Sequence, residues 1–261
     1  MDKKRLNTVL LEVLRTLGPF ASEVVIGGGV ALLIYRYFLK SVSKNAPIPA
    51  ATDDLDLLIP RMLTNRPAQS LSARLEKAGF ECKTHSIESI PVESYAATIG
   101  GQEIILEFLT DRRSRGNKNA NVIVAGISAQ PLPYIEMSQQ NSIKFITTSG
   151  VSGQVVAPGS WIFHKALTFD RRASKNKQAK DLYGIWYAGS QLDDLSRQAL
   201  SELKKLAHSY PRNWAVSARK GLRNWITDAS PRDWERLESQ DPANKLTRLI
   251  FKKFIESEFL F

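Results

Sequence analysis

The segment Thr52-Asp53-Asp54-Leu55-Asp56-Leu57-Leu58-Ile59 constrains the chain more than any other. It is an apolar, strand-forming run that opens with three acids and ends at Pro60. On a strand, residues two apart project from one face, so Asp54 and Asp56 stand side by side and Asp53 points to the opposite face. Adjacent carboxylates repel unless a cation neutralises them, and hard oxygen donors suit Mg²⁺ or Mn²⁺. By itself an Asp-x-Asp pair is also what a solvated turn in front of a strand looks like.

Two further features add weight to the metal reading. Ile26-Gly27-Gly28-Gly29 reads as the end of a short strand (23–26) followed by glycines and a helix over 30–39. Glycine there lets a phosphate approach the backbone, and the helix N-terminus offers N–H donors and a positive dipole. Glu107 lies inside the apolar strand Ile104-Ile105-Leu106-Glu107-Phe108-Leu109, where a lone acid needs a partner or a metal. If that strand neighbours the Asp54 strand, three carboxylates cluster. A P-loop is excluded because no Gly-Lys-Ser/Thr follows Gly29, and a dinucleotide fingerprint fails at Leu32.

Around this motif the chain reads as two parts. Before Ala157-Pro158-Gly159, helical periodicity over 4–17 and 67–78 alternates with strand-like runs at 55–59, 80–85, 95–99, 103–109, 122–124, 143–148 and 154–156. After it, helices are expected at 160–169, 177–188, 193–208, 212–226, 231–238 and 243–259. The expected fold class is therefore α+β: a mixed sheet flanked by helices over residues 1–157, then a helical domain over 158–261. All five tryptophans fall in the second part, where packing between helices is their commonest use.

Composition sets outer bounds. The formal charge is +10 and the pI is near 9.7, which favours polyanionic partners. Cys82 is the sole cysteine, so no internal disulfide or Cys-x-x-Cys zinc site can form, and in its strand it reads as a small buried apolar residue. His85, His164 and His208 have no metal-like spacing. The longest apolar run, 24–39, is broken by glycines and Arg36 and falls short of the roughly 20 residues of a membrane span. With no signal-like N-terminus, a soluble cytoplasmic protein is expected.

The order Gly-Gly, Asp-x-Asp, then a third acid on a later strand resembles the nucleotidyltransferase superfamily with the polymerase-β-like fold. The closer resemblance is to AbiEii/MenT-like toxin nucleotidyltransferases and related bacterial proteins. Thr52 lies two residues before the first Asp, as in that group. Lys165, the basic pair Arg171-Arg172 and Lys180-Asp181 are similar to its downstream elements. The likeness covers roughly residues 23–188. It departs from the pattern at Ala50-Ala51, where relatives carry an Arg, with Arg36 as the nearest substitute, and in the third acid, here Glu107 rather than Asp.

The resemblance implies nucleotidyl transfer from an NTP to an acceptor hydroxyl with Mg²⁺ or Mn²⁺. Asp54, Asp56 and Glu107 would be the catalytic metal ligands. Gly28, Gly29, Thr52, Lys165, Lys180 and Asp181 would form the nucleotide site, with Asp181 equally read as a structural partner of Lys180 or Arg172. Basic residues at 112–118 and 165–180 make RNA, including tRNA, one acceptor class. A toxin would also have an antitoxin protein as partner. Two alternatives stay open: a degenerate fold that binds nucleotide or RNA without catalysis, and an enzyme that modifies a small molecule of the antibiotic type.

Overall fold

Leu6, Val9, Leu10, Val13, Leu14 and Leu17 line one side of α1 (Lys3–Leu17), and all are buried. Asp2 caps the helix, accepting a hydrogen bond from the Arg5 amide at 2.8 Å. The structure is a computed structural model that describes residues 1–50, 54–65, 67–85, 93–112 and 122–259. The elements that follow are β1 (Val25–Ile26), α2 (Val30–Phe38), β2 (Asp54–Leu58), α3 (Leu71–Lys77), β3 (Glu81–Thr84), β4 (Glu93–Ile99) and β5 (Gln102–Asp111). Then come β6 (Val122–Val124), β7 (Ile127–Leu132), α4 (Ile135–Gln140), β8 (Ser142–Ile146) and β9 (Ser152–Val156). The remainder is helical: α5 (Pro158–Thr168), α6 (Lys175–Ser190), α7 (Asp194–Ser209), α8 (Arg212–Asp228), α9 (Pro231–Glu238) and α10 (Arg248–Phe259). The fold is thus a mixed sheet flanked by helices with a C-terminal helical region.

Among the described residues the strands form one sheet in the order β3-β4-β5-β2-β1-β9-β8, with β7 on the far end of β5 and β6 on β7. β2 runs parallel to β5 and antiparallel to β1, while β1 is parallel to β9. β4 and β5 form an antiparallel hairpin across Gly100-Gly101. The inward positions of β2 and β5 (Leu55, Leu57, Ile104, Leu106, Phe108) are almost fully buried. The alternate positions carry the acids.

Two elements have no clear signal in the sequence, β7 and α4. β7 contains Pro131, which reads as a breaker, yet it is accommodated opposite Thr110 of β5. α4 is only six residues long, below the span in which periodicity can be read. Cys82 is exposed rather than buried: it lies on β3, an edge strand on which Glu81 and Thr84 are exposed as well.

The chain divides into two compact units, Met1–Ile34 with Ala51–Val156, and Tyr35–Ala50 with Ala157–Phe261. In the second, α5 is the central helix: Trp161, Ile162, Phe163, Ala166 and Leu167 are all buried. The segment after α2 is tied to this unit by Tyr187, which donates to the Pro47 carbonyl at 2.7 Å, and by Asp193, which accepts from the Ser43 amide at 3.0 Å. Trp161, Trp186 and Trp234 are buried, and Trp225 meets Trp234 edge-on at 4.6 Å, so the tryptophans pack helices as expected. Among the described residues no helix is long and apolar enough to cross a membrane.

Candidate active site

The first unit assembles its polar centre from β1, the glycine turn, β2 and β5. Because β1 and β2 are antiparallel (Ile26 opposite Leu57), the glycine turn that leaves β1 falls at the acid-bearing start of β2. The Gly27 amide donates to the Asp56 carbonyl at 2.8 Å and fixes that approach. Gly28 has φ +58°, and a Cβ there would stand 1.9 Å from Asp56 Oδ2. Only glycine accommodates both the left-handed backbone and the carboxylate pressed against it. Val30 then opens α2.

On β2, Asp54 is exposed and Asp56 half-buried, with the fully buried Leu55 between them on the opposite face. The parallel register pairs Asp56 with Glu107 and Asp54 with Ile105. Asp56 and Glu107 are therefore neighbours across the ladder on one face, and Asp54 lies two residues along that face. Among the described residues, no three His, Cys, Asp or Glu side chains are gathered so as to hold a metal ion between them. The donor chemistry, carboxylate oxygens beside a glycine turn without side chains, nevertheless suits a hard divalent cation and a phosphate.

One polar pair beside this face has no sequence signal. Ser94 Oγ lies 3.0 Å from His85 Nε2, and Ser94 is only 2% exposed. Ser94 precedes Tyr95, which the antiparallel β4–β5 register sets opposite Leu106, the neighbour of Glu107. That adjacency comes from strand pairing and has no counterpart in sequence spacing. A cavity of about 580 Å³ opens elsewhere in this unit, by Glu12, Gly79, Lys83 and Glu103, and none of the expected site residues lines it.

Lys165, Lys180 and Asp181 belong to the helical unit. Lys165 Nζ on α5 is 2.7 Å from Asp181 Oδ1 on α6, and Arg172 Nε is 2.8 Å from Asp181 Oδ2. Lys165 also stands over the Trp161 ring, 5.4 Å from its centroid. Burial pushes the Asp181 pKa up, but the two cations and their hydrogen bonds outweigh it and hold the carboxyl below its ordinary value. Lys180, on the same helix, is exposed. Arg36 directs its guanidinium to the carbonyls of Ala46 and Lys44, both at 2.5 Å. Thr52, Asp53 and the basic stretch 113–118 lie outside the described residues.

A search of solved structures finds similarity to the crystal structure of an antigenic nucleotidyltransferase-like protein from Paracoccidioides brasiliensis. The identity is 16% and the TM-score 0.44, over 84% of this chain and 94% of that one. No curated protein matches the sequence. A family model described as nucleotidyltransferase matches residues 5–208, most of the chain and all of the elements from β1 to α6. The chain belongs to the nucleotidyltransferase family.

Proposed function

We propose that the protein transfers a nucleoside monophosphate from an NTP to a hydroxyl of an RNA acceptor, with Mg²⁺ or Mn²⁺ as cofactor. The observation that carries this reading is the β2–β5 register, which stands Glu107 beside Asp56 while Gly28 presses its bare backbone on the Asp56 carboxylate. Asp54, Asp56 and Glu107 would hold the cation, which when bound supplies positive charge to the reacting phosphate oxygens. Gly28 and Gly29 would offer backbone amides to the β and γ phosphates. The acceptor oxygen forms a new bond to the α-phosphorus, the α–β phosphoanhydride bond breaks, and pyrophosphate leaves. The hydroxyl proton goes to a carboxylate on the acceptor side, for which Glu107 is the candidate.

For the helical residues, the geometry favours a bracing role for the Lys165–Asp181–Arg172 group. The exposed Lys180 is the one of the three expected residues open to a phosphate in solution. Thr52 enters on the resemblance to AbiEii/MenT-like toxins alone. That likeness also supplies the finer reading, a toxin that modifies tRNA and is held in check by an antitoxin protein.

The test is incubation with each α-labelled NTP, Mg²⁺ and total RNA. Label should enter RNA and be lost in Asp54→Ala/Asp56→Ala. Label on protein instead of RNA would change the acceptor, and no transfer with metal bound would favour a nucleotide-binding module. Growth arrest on expression, relieved by Asp56→Ala, tests the toxin reading.

A further inference from the structure

The two units differ sharply in charge. The first carries 14 Lys+Arg and 14 Asp+Glu, the second 22 and 12, so the entire formal charge of +10 resides in the helical unit. Within it, α8 concentrates cations. Arg212, Arg219, Lys220 and Arg223 are exposed and spaced i, i+7, i+8 and i+11, which places them on one stripe of the helix. No acid shares the stripe, since the helix's single carboxylate, Asp228, lies at its C-terminal end. Five cations of this unit pair with acids: Lys165 and Arg172 with Asp181, Arg197 with Asp194, Lys204 with Glu258, Arg236 with Asp233. Among the described residues, Arg212, Lys220 and Arg223 form no such pair.

We infer that the exposed stripe of α8 is the surface on which the helical unit binds the phosphate backbone of an RNA strand. The stripe extends about 16 Å from Arg212 to Arg223, enough to meet several phosphates. Its cations sit on a helix already ordered by its adjoining apolar face, where Ala215, Ala218, Leu222 and Ile226 are buried, so binding needs no folding step. The same burial argues against an anionic membrane: a helix that lies on lipid offers an apolar face for insertion, and Val216 is the single apolar residue of this stripe. The inference deepens the reading of the acceptor as RNA and, in its choice of RNA, rests on it.

The test is fluorescence anisotropy of the full chain with a labelled mixed-sequence 20-nucleotide RNA between 50 and 200 mM KCl. Arg212→Gln/Lys220→Gln/Arg223→Gln removes three cations and keeps good helix formers. Its affinity should fall on the order of tenfold or more at 100 mM KCl, and the slope of log affinity against log salt should drop by roughly 2. Lys4→Gln/Lys77→Gln/Lys144→Gln, three exposed lysines of the neutral unit, should change binding less than threefold, as expected for charges outside the binding face. Matching thermal melts confirm that the α8 variant is folded. Unchanged RNA binding in the α8 variant, an equal loss in the control, or wild-type binding to phosphatidylserine vesicles but not to RNA overturns the inference. Asp54→Ala/Asp56→Ala should bind RNA like wild type. If that variant still transfers label, the catalytic reading fails and the stripe stands. If the α8 variant binds RNA unchanged while transfer depends on Asp54 and Asp56, the stripe fails and the catalytic reading stands.

Discussion

At the residue scale, Gly28 is the position at which sequence and site meet most tightly. Its φ of +58° and the 1.9 Å approach of Asp56 Oδ2 to any Cβ leave no room for a side chain. Gly28→Ala should cost about 1–2 kcal/mol of stability for the left-handed backbone and push the Asp56 carboxylate off its place. Denaturant unfolding measures the first effect. The second should appear as a fall in label transfer well beyond the loss of folded protein. Gly159, near the start of α5, is constrained by crowding alone: a Cβ would meet the Ala199 carbonyl oxygen at 2.6 Å. Its amide also donates to Glu202 at 3.0 Å. Gly159→Ala should destabilise by about 1–3 kcal/mol, because α7 backbone rather than a flexible side chain must move. Both glycines stand plainly in the sequence, but only one has a readable reason there. A Gly-Gly run before a helix suggests a phosphate turn, whereas an isolated glycine after proline carries no sign of the helix packed against it.

At the scale of elements, the strands that hold the acids are legible in the sequence and their pairing is not. Alternation along 54–58 is enough to put Asp54 and Asp56 on one face. That Glu107, rather than Glu103, stands beside Asp56 depends on the register of β2 on β5, which hydrogen bonding and the match of Leu55 and Leu57 with Leu106 and Phe108 decide. Between helices, the Lys165–Asp181–Arg172 group joins α5 to α6. Asp181→Ala leaves the Lys165 ammonium nearly buried without its carboxylate and should cost about 3–5 kcal/mol. The Asp181 carboxyl is held below its ordinary value, so its contribution is complete above the unfolded-state pKa of about 3.9 and fades as pH falls through the folded value. Urea unfolding between pH 5 and pH 2 should show wild type losing stability more steeply than the weaker Asp181→Asn.

For the whole molecule, the division into two units predicts unfolding that depends on the probe. All five tryptophans lie in the helical unit, so their fluorescence reports that unit, while far-UV circular dichroism reports both. Asp181→Asn should shift the fluorescence transition more than the circular dichroism transition, and coincident shifts would show that the units unfold as one. The units also differ in charge: one is electrically neutral and holds Asp54, Asp56 and Glu107, the other carries the surplus charge.

The sequence by itself determined the alternation that places two aspartates on one face, the glycines before a helix, the helical character of the second half and the net positive charge. Each of these is written in neighbours a few residues apart. Tertiary structure decided that Glu107 lines up with Asp56, that Asp181 takes Lys165 together with Arg172, and that residues 35–50 join the helices. It also decided that the surplus charge belongs to one unit alone. These depend on registers and packings between segments far apart in the chain. Such contacts are selected by the free energy of the whole core and leave no periodic trace in any one segment.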